Sequence, residues 1–318
     1  MKSSSERAVP QTADPLGEAL YSLRLNGVVY ANSELSAPWG LAMPAMPGNL
    51  MFHIVTQGAC WLRVDDQKPL SLNAGDLVLL PKGQGHEIAS GEAIRCEPFF
   101  DIPVTRISER FEFMSYGGGG EQTKLTCGVV SFDHHAGEKL VAHLPQVIQV
   151  RGQDGALPSS IQALLNLMSH EARYAALGGD TVISHLADII VIHAIRYWIE
   201  SSPQANEGWL GALQDPKLGR ALGLIHSRPE SAWTVDTLAK EAGMSRSGFS
   251  SRFTELVGVS VKQYLTEWRM GLARMKLLQS PVSLTELAEE LGYQSEAAFS
   301  RAYKRIMGAP PIRPGKAE

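Results

Sequence analysis

The sequence predicts an α+β protein of several domains: an N-terminal β-barrel, a central pair of helices and a C-terminal all-α domain with two helix-turn-helix units. Three observations lead to this fold class. The chain has 318 residues, which is long for one domain. Its pattern changes from β-like to helical near Pro158, and one helical pattern occurs twice between residues 235 and 308. We therefore expect a flexible tail at 1–20, the barrel at 21–155, the helical pair at 156–205 and the C-terminal domain at 206–314.

The first part of the chain has the pattern of β-strands. From about Leu23 to Val150, short apolar runs are broken by Gly, Pro and Asp, which is typical of a sandwich or a barrel. The clearest predicted strands are Leu50–Val55, Cys60–Val64, Asp76–Leu80 and Leu125–Phe132.

Two amphipathic helices are predicted after Pro158. Ile161, Leu165 and Met168 repeat at helical spacing, and a second helical pattern follows Gly178. Apolar residues cover more than one face of this second helix: Val182, Leu186, Ile189, Ile190, Ile192, Ile195 and Trp198. Since one face is enough to cover a small barrel, we expect the other to pack against a second subunit and form a homodimer.

The same helix is the most hydrophobic stretch of the chain. It is interrupted by His185, Asp188, His193 and Arg196, which would be unfavourable inside a bilayer. The sequence therefore predicts a buried helix of a soluble protein and no membrane partner.

The C-terminal pattern is duplicated in detail. Each copy has a Leu-Ala pair on a short helix, a turn glycine, a serine N-cap and a second helix with aromatic residues four apart. The first copy carries Gly243, Phe249 and Phe253. The second has the same features at Leu287-Ala288, Gly292, Ser295, Phe299 and Tyr303. With a long helix predicted at Val261–Leu278 between them, the two copies would offer two helices to the major groove of one DNA duplex.

The charge is divided unevenly along the chain. The net charge is −4, but residues 216–318 hold 15 Lys and Arg against 10 Asp and Glu, whereas residues 1–215 hold 14 against 23. The basic charge therefore lies with the duplicated motif, where phosphate neutralisation requires it.

Cysteine usage and the N-terminus predict a cytoplasmic protein. Cys60, Cys96 and Cys127 form no CxxC pair, which argues against a disulfide scaffold and favours a reducing compartment. The polar segment Met1–Pro15 lacks the apolar core of a signal peptide.

The region from about Asp215 to Pro311 resembles the DNA-binding domain of the AraC/XylS family of bacterial transcription regulators. The resemblance rests on the two duplicated units and on the connecting segment Gln263–Met270 with Ala273 and Leu277-Leu278. One departure concerns the end of the domain. Such domains usually end in a proline followed by an aromatic-Arg pair, whereas this chain reads Pro310-Pro311-Ile312-Arg313-Pro314, so we expect a short last helix.

The N-terminal domain resembles a cupin, the small β-barrel that serves as the sensor in one branch of this family. Gly75, Pro81, Gly83 and His86 fit the second cupin motif, but of the metal ligands of the first motif only His53 is present. Two histidines make a poor metal site. We therefore expect no cofactor, although a metal at His53 and His86 is an alternative.

Several residues of this domain are candidates for sensing. His53, His86 and Trp61 could contact a small-molecule ligand, and the two histidines could equally be a polar pair lining the barrel. Cys96 and Cys127 could sense oxidants, although a cysteine on a strand is more often a small buried hydrophobe.

Helical geometry predicts which residues face DNA. If Phe249 and Phe253 face the core, a rotation of about 100° per residue places the hydroxyl side chains of that helix on the opposite face. Arg246 at the start of the helix could contact guanine with two hydrogen bonds. Glu296, at the same place in the second unit, could accept from cytosine N4 or simply favour the helix dipole. The predicted DNA-contacting residues are Ser245, Arg246, Ser247, Ser250, Ser251, Thr254, Ser295, Glu296, Ala297, Ser300, Arg301 and Lys304.

Two function classes are compatible with these features. The first is a non-enzymatic, DNA-binding transcription regulator whose cupin-like domain senses a small molecule or a chemical stress. Its partners would be double-stranded DNA, an unidentified effector, a second copy of the chain and, for an activator, RNA polymerase. The second is a metal-dependent cupin enzyme with an appended helical domain. The duplicated motif, the basic charge and the missing metal ligands favour the regulator.

Overall fold

The computed structural model describes residues 16–17, 20, 25–132, 135–152, 159–174, 177–279 and 282–311. The chain divides into two compact units, an N-terminal unit of Leu23–Ala205 and a C-terminal unit from Asn206 onwards. Most of the tail predicted at residues 1–20 lies outside the described residues.

Among the described residues, the N-terminal unit contains twelve strands in two sheets. The seven-stranded sheet has the order β12-β6-β3-β11-β1-β10-β9, and the five-stranded sheet has the order β5-β4-β7-β2-β8. The strands are β1 Leu25–Ser36, β2 Gly40–Met43, β3 Asn49–Gln57, β4 Ala59–Val64, β5 Leu70–Asn73, β6 Leu77–Leu80, β7 His86–Ala89, β8 Glu97–Pro98, β9 Val104–Arg106, β10 Phe111–Gly117, β11 Gln122–Phe132 and β12 Ile148–Val150.

The two sheets share one apolar core. Met51 and Val55 of β3 and Leu125 of β11 face Leu62 of β4 and Ile88 of β7, and all five are buried. The predicted strands are confirmed, and so is the fold class. One detail differs, because the sheets are packed face to face and are not closed into a continuous barrel.

The described part of this unit also contains three α-helices: α1 at His135–His143, α2 at Ser159–Tyr174 and α3 at Gly179–Ser201. The predicted helical pair is thus present as α2 and α3, which pack together. Helix α3 also contacts β1, β6 and β12 of the seven-stranded sheet. Leu186, Ile190 and Ile195 are buried in this packing, whereas Val182 and Ile189 are exposed.

Helix α3 is, among the described residues, the one helix long and apolar enough to cross a membrane by length and composition. Half of its most apolar 18-residue stretch is buried inside the N-terminal unit. The core helix of a soluble protein has the same properties, and the contacts of α3 with the sheet agree with that interpretation.

Seven helices form the described part of the C-terminal unit. They are α4 Gly208–Gln214, α5 Pro216–Ser227, α6 Val235–Glu241, α7 Arg246–Val257, α8 Val261–Gln279, α9 Leu284–Glu290 and α10 Glu296–Met307. The two predicted helix-turn-helix units are therefore α6–α7 and α9–α10, and α8 is the predicted connecting helix. Helix α10 ends at Met307, before the two prolines. The segment from Ile312 onwards, where the sequence predicts a short last helix, lies outside the described residues.

The helix boundaries of the two units follow from their caps. The Ser245 and Ser295 side chains accept hydrogen bonds from the N–H groups of Gly248 and Ala298, each at 3.2 Å, and so begin α7 and α10. Gly258 and Gly308 end the same helices in the left-handed conformation, with φ of 80° and 77°.

Helix α8 connects the two units through Arg269. Its guanidinium donates to the carbonyl oxygens of Pro229 at 2.6 Å and Ser231 at 2.8 Å, in the loop before the first unit. The same guanidinium lies 5.5 Å from the centre of the Tyr293 ring, in the turn of the second unit. The Arg269 side chain therefore contacts the loop before the first helix-turn-helix unit and the turn of the second, and it holds both against α8.

Candidate nucleic-acid interface and inner cavity

The exposed face of α7 carries most of the residues that the sequence predicts for DNA contact. Phe249 and Phe253 are fully buried, and the helical repeat turns the intervening positions outward. The exposed positions are Ser245, Arg246, Ser247, Ser251 and Thr254, while Ser250 is half-buried. The hydroxyl of Thr254 donates to the carbonyl of Ser250 at 2.9 Å.

Arg246 does not project freely from the start of this helix. Its Nε atom lies 3.3 Å from Oδ1 of Asp236, on the preceding helix α6. Asp236 is not among the contact residues predicted from the sequence. Asp236 is the second residue of α6, and its contact with the start of α7 arises only when the two helices pack, so no local signal in the sequence points to it.

Helix α10 repeats this exposure pattern in the second unit. Phe299 and Tyr303 are buried. The exposed positions are Ser295, Glu296, Ala297, Arg301 and Lys304, while Ser300 is half-buried. The Thr285 hydroxyl donates to Oε2 of Glu296 at 2.7 Å, so this carboxylate is also held by the preceding helix.

A second arginine of α7 has a structural partner. Arg252 donates through Nε to Oδ2 of Asp215 at 3.1 Å, and Asp215 is the N-cap of α5. Burial acts to raise the pKa of Asp215, but hydrogen bonds from the Leu218 N–H, from Arg252 and from the Lys217 N–H outweigh it and lower the pKa below the usual value. The ion pair joins α7 to the start of α5 and stabilises the C-terminal unit.

The predicted sensor residues His53 and His86 meet inside the N-terminal unit, together with Cys127. The two Nε2 atoms are 2.7 Å apart, and Nδ1 of His53 lies 2.9 Å from Sγ of Cys127. Nδ1 of His86 lies 3.1 Å from the carbonyl oxygen of Gln84. Both rings are buried, so the arrangement is a chain of hydrogen bonds that begins at the backbone and ends at a thiol.

The direction of these hydrogen bonds can be derived from the one fixed acceptor. The Gln84 carbonyl can only accept, so His86 donates from Nδ1 and, as a neutral ring, accepts at Nε2. His53 therefore donates from Nε2 and accepts at Nδ1 from the S–H group of Cys127. Every polar atom of the two imidazoles has a partner in this tautomeric state.

Burial keeps the two imidazoles and the thiol of this row of hydrogen bonds uncharged. It lowers the pKa of His86 to about 4, with a smaller opposing effect from the Gln84 hydrogen bond. Burial and the neighbouring His86 lower the pKa of His53, and burial followed by the nearby Cys60 raises the pKa of the Cys127 thiol. Cys127 is thus a half-buried thiol and not an exposed thiolate.

The geometry does not fit a metal at this place. Cys127 approaches His53 on the Nδ1 side and His86 approaches on the Nε2 side, so the three donors lie in a row and not around a point. No group of three His, Cys, Asp or Glu side chains that could hold a metal occurs among the described residues. A metal here would also have to displace two hydrogen bonds to find a free nitrogen lone pair.

Two cavities lie on either side of the histidine pair. The inner one, about 30 Å³, lies between the sheets and has His53 and Cys127 in an otherwise mostly apolar wall with Met43, Met51 and Leu125. The outer one is about 400 Å³ and polar. Its wall includes Met43, Arg63, Asp65, Gln67, His86 and Glu87.

Two of the predicted sensor residues lie elsewhere. Trp61 alternates along β4 with the buried Cys60 and Leu62, so its side chain is on the outer face of the sheet and lines neither cavity. Cys96 accepts from Nη2 of Arg63 at 3.2 Å and is separate from the histidine chain. Burial raises the pKa of Cys96, and Glu87 adds to this effect while Arg63 opposes it.

The chain is similar to known proteins over nearly its whole length. A family model described as a cupin matches residues 14–200, and one described as a helix-turn-helix domain matches residues 238–313. A putative AraC-like transcription regulator of Streptomyces antibioticus is 34% identical over 94% of this chain and 97% of its own length. The HTH-type transcriptional regulator AlkR of Acinetobacter baylyi is 31% identical, with the same coverage of both chains.

One solved structure resembles the C-terminal unit in sequence. It is the DNA-binding domain of AdpA, a global transcriptional factor, in complex with a target DNA. It is 32% identical and covers 30% of this chain and 86% of its own, with a TM-score of 0.29.

The two units, the two family models and the two relatives define a class of protein in which a cupin domain precedes a double helix-turn-helix domain. The chain belongs to the AraC-like transcription regulators, as its resemblance to AraC/XylS proteins predicted.

Proposed function

We propose that the chain is a non-enzymatic, sequence-specific DNA-binding transcription regulator that reads DNA with the exposed faces of α7 and α10. The observation that carries this proposal is the repeated exposure pattern. Two capped helices bury their aromatic residues at the same positions and present polar or basic side chains on the opposite face. The excess of Lys and Arg in residues 216–318 supplies the phosphate contacts such a surface needs.

The site read by one chain should be asymmetric. Two recognition helices on one connecting helix enter successive major grooves about 34 Å, or about 10 base pairs, apart. The helices begin differently, with Arg246-Ser247 in the first and Glu296-Ala297 in the second. A palindrome within the site of a single chain would contradict the proposal.

Selection of duplexes from a random pool, followed by binding at several salt concentrations, tests this function. Each phosphate contact contributes about 0.9 to the slope of log K against log salt. Replacing Arg301 and Lys304 together by Ala should therefore reduce that slope by roughly 2. The matched control replaces Lys68 and Lys82, two exposed lysines of the N-terminal unit, by Ala and should leave the slope unchanged. Failure to select any duplex would overturn the proposal.

We infer that the N-terminal unit senses a small molecule through the outer pocket beside His86. The inner cavity of about 30 Å³ holds no more than water, whereas about 400 Å³ lies within the range of ligand sites. A ligand there can contact Arg63, Asp65 or Glu87 and reach His86. Screening for compounds that raise the Tm of the full chain, with Asp65→Ala and the distant Asp101→Ala compared, tests this. Equal loss of the Tm shift in both variants would contradict it.

The alternative of a metal-dependent cupin enzyme makes a separate prediction. Iron or zinc at one per chain, together with no DNA affinity, would favour the enzyme. The row of donors at His53 supports the regulator instead, without cofactor or metal.

The regulator is proposed to act as a cytoplasmic homodimer, with RNA polymerase as a partner if it activates. The exposed Val182 and Ile189 of α3 supply an apolar surface for a second copy. Sedimentation of the full chain should show a dimer at micromolar concentration that Ile189→Asp weakens. Val104→Asp, which changes an exposed valine on β9, is the control and should leave the dimer intact. A monomeric wild-type chain would contradict the assembly.

A further inference from the structure

Both helix-turn-helix units hold the first residue of the recognition helix from the same position of the preceding helix. Arg246 is the first residue of α7 and is paired with Asp236, the second residue of α6. Glu296 is the first residue of α10 and accepts from Thr285, the second residue of α9. The contact is thus part of the duplicated architecture, while its chemistry differs between the copies.

The contact in the first unit leaves the reading end of Arg246 available. Asp236 lies 3.3 Å from Nε, and Nε is not one of the two terminal nitrogens with which an arginine contacts guanine. Two parallel N–H donors match the O6 and N7 acceptors of guanine in the major groove. The two side chains remain 72% and 63% exposed, and such an ion pair contributes little to folding stability. Its main physical effect is to limit the orientations of the guanidinium.

The contact in the second unit has the same consequence for a carboxylate. Thr285 donates to Oε2 of Glu296, so Oε1 is the oxygen that can accept from a base. The amino group of cytosine is the donor that a glutamate accepts from in the major groove. The two units therefore present opposite hydrogen-bonding characters, a donor pair and an acceptor, from equivalent backbone positions.

We propose that Asp236 and Thr285 are specificity-determining positioning residues, which orient Arg246 toward a guanine and Glu296 toward a cytosine. This inference rests on the proposed DNA-binding function. Neither Asp236 nor Thr285 contacts a base. Asp236 and Thr285 act by restricting the orientations of Arg246 and Glu296, so that these two side chains lose less orientational entropy on binding.

Replacing Asp236 by Ala and by Asn separates positioning from charge. Both variants remove one negative charge near DNA, so both should strengthen non-specific binding alike. Only Asp236→Asn keeps an oxygen that can accept from Nε. We expect the preference for guanine at one position of the selected site to fall about tenfold in Asp236→Ala and to stay within about twofold in Asp236→Asn.

The chain offers a matched charge control on the same helix. Glu241 is paired with Arg220 at 3.3 Å and is exposed, so Glu241→Ala removes a carboxylate of α6 away from Arg246. It should leave the guanine preference unchanged. In an Arg246→Ala background, Asp236→Ala should have no further effect on that preference, because the side chain that it positions is absent.

The second unit has its own pair of variants. Thr285→Val removes the hydroxyl and should reduce the preference for cytosine at a different position of the site, about threefold to tenfold. Thr285→Ser keeps the hydroxyl and should restore it. Guanine preference should be unaffected in both variants.

The outcome distinguishes this inference from the function on which it rests. If the wild-type chain selects no duplex, the DNA-binding function is wrong. If the wild-type chain selects a site and Asp236→Ala and Thr285→Val select the same site with equal discrimination, the function stands and the positioning role is overturned. Equal changes in Asp236→Ala, Asp236→Asn and Glu241→Ala would show that the charge acts and the geometry does not.

Discussion

The two helix-turn-helix units share a backbone frame and differ in what that frame carries. Both have a capping box, a turn glycine, a serine N-cap and a left-handed glycine at the end of the second helix. The turn of the second unit is one residue longer, with Tyr293-Gln294 where the first has only Met244. The comparison shows that caps and glycines maintain the geometry, while the first residue of each recognition helix is free to change the chemistry.

The units also differ in how tightly their turns are packed. Gly243 has φ of 63° and open space where a Cβ atom would lie. Gly292 has φ of 74°, and a Cβ atom there would lie 2.1 Å from the carbonyl oxygen of Glu230. The second turn is therefore in contact with the loop before the first unit, on the same side as the Arg269 hydrogen bonds to Pro229 and Ser231.

The largest expected difference between the units concerns these glycines. Gly243→Ala strains the backbone and should lower the free energy of unfolding by about 1 kcal/mol. Gly292→Ala adds a collision with backbone and should lower it by roughly 3 kcal/mol or more. Denaturant unfolding of the full-length variants measures both. Equal losses would mean that the second turn is no more constrained than the first.

The next difference concerns DNA binding. Arg246→Ala should weaken binding by about 1–3 kcal/mol only on sites that carry the preferred base at one position. Lys304→Ala should weaken binding on all sequences and reduce the salt slope by about 1. Titrations of a selected and a scrambled duplex at several salt concentrations compare them. A uniform loss for Arg246→Ala would place its guanidinium on phosphate instead.

The smallest expected difference lies in the capping boxes. Glu286 accepts from the Ser283 N–H at 3.1 Å with a carboxylate, whereas Thr237 accepts from the Thr234 N–H at 2.9 Å with a neutral hydroxyl. Glu286→Ala should therefore lower the free energy of unfolding by about 1 kcal/mol and Thr237→Ala by about 0.5 kcal/mol. When the unfolding measurement is repeated in high salt, the loss caused by Glu286→Ala should become smaller and the loss caused by Thr237→Ala should stay unchanged. The reverse order would contradict the role of charge in the cap.

Much of the candidate site could be predicted from local pattern. Ser245 and Ser295 begin recognition helices because a serine before an amphipathic run satisfies free backbone N–H groups, and this signal is contained in a few neighbouring residues. The buried aromatic pairs fix the exposed face through the helical repeat alone. By contrast, the local sequence pattern places Trp61 with His53 and His86 as a candidate ligand contact. It does not show that the Trp61 side chain lies on the outer face of β4.

Short-range periodicity and capping are enough to specify the fold class, the duplicated units and the exposed residues of their recognition helices. The contacts of Asp236 with Arg246, of Thr285 with Glu296, and of His53 with both His86 and Cys127 arise only in the folded chain. The last two partners lie 33 and 74 residues away along the chain. Such contacts depend on how separate helices and strands pack, and packing is a property of the whole core that no local pattern contains.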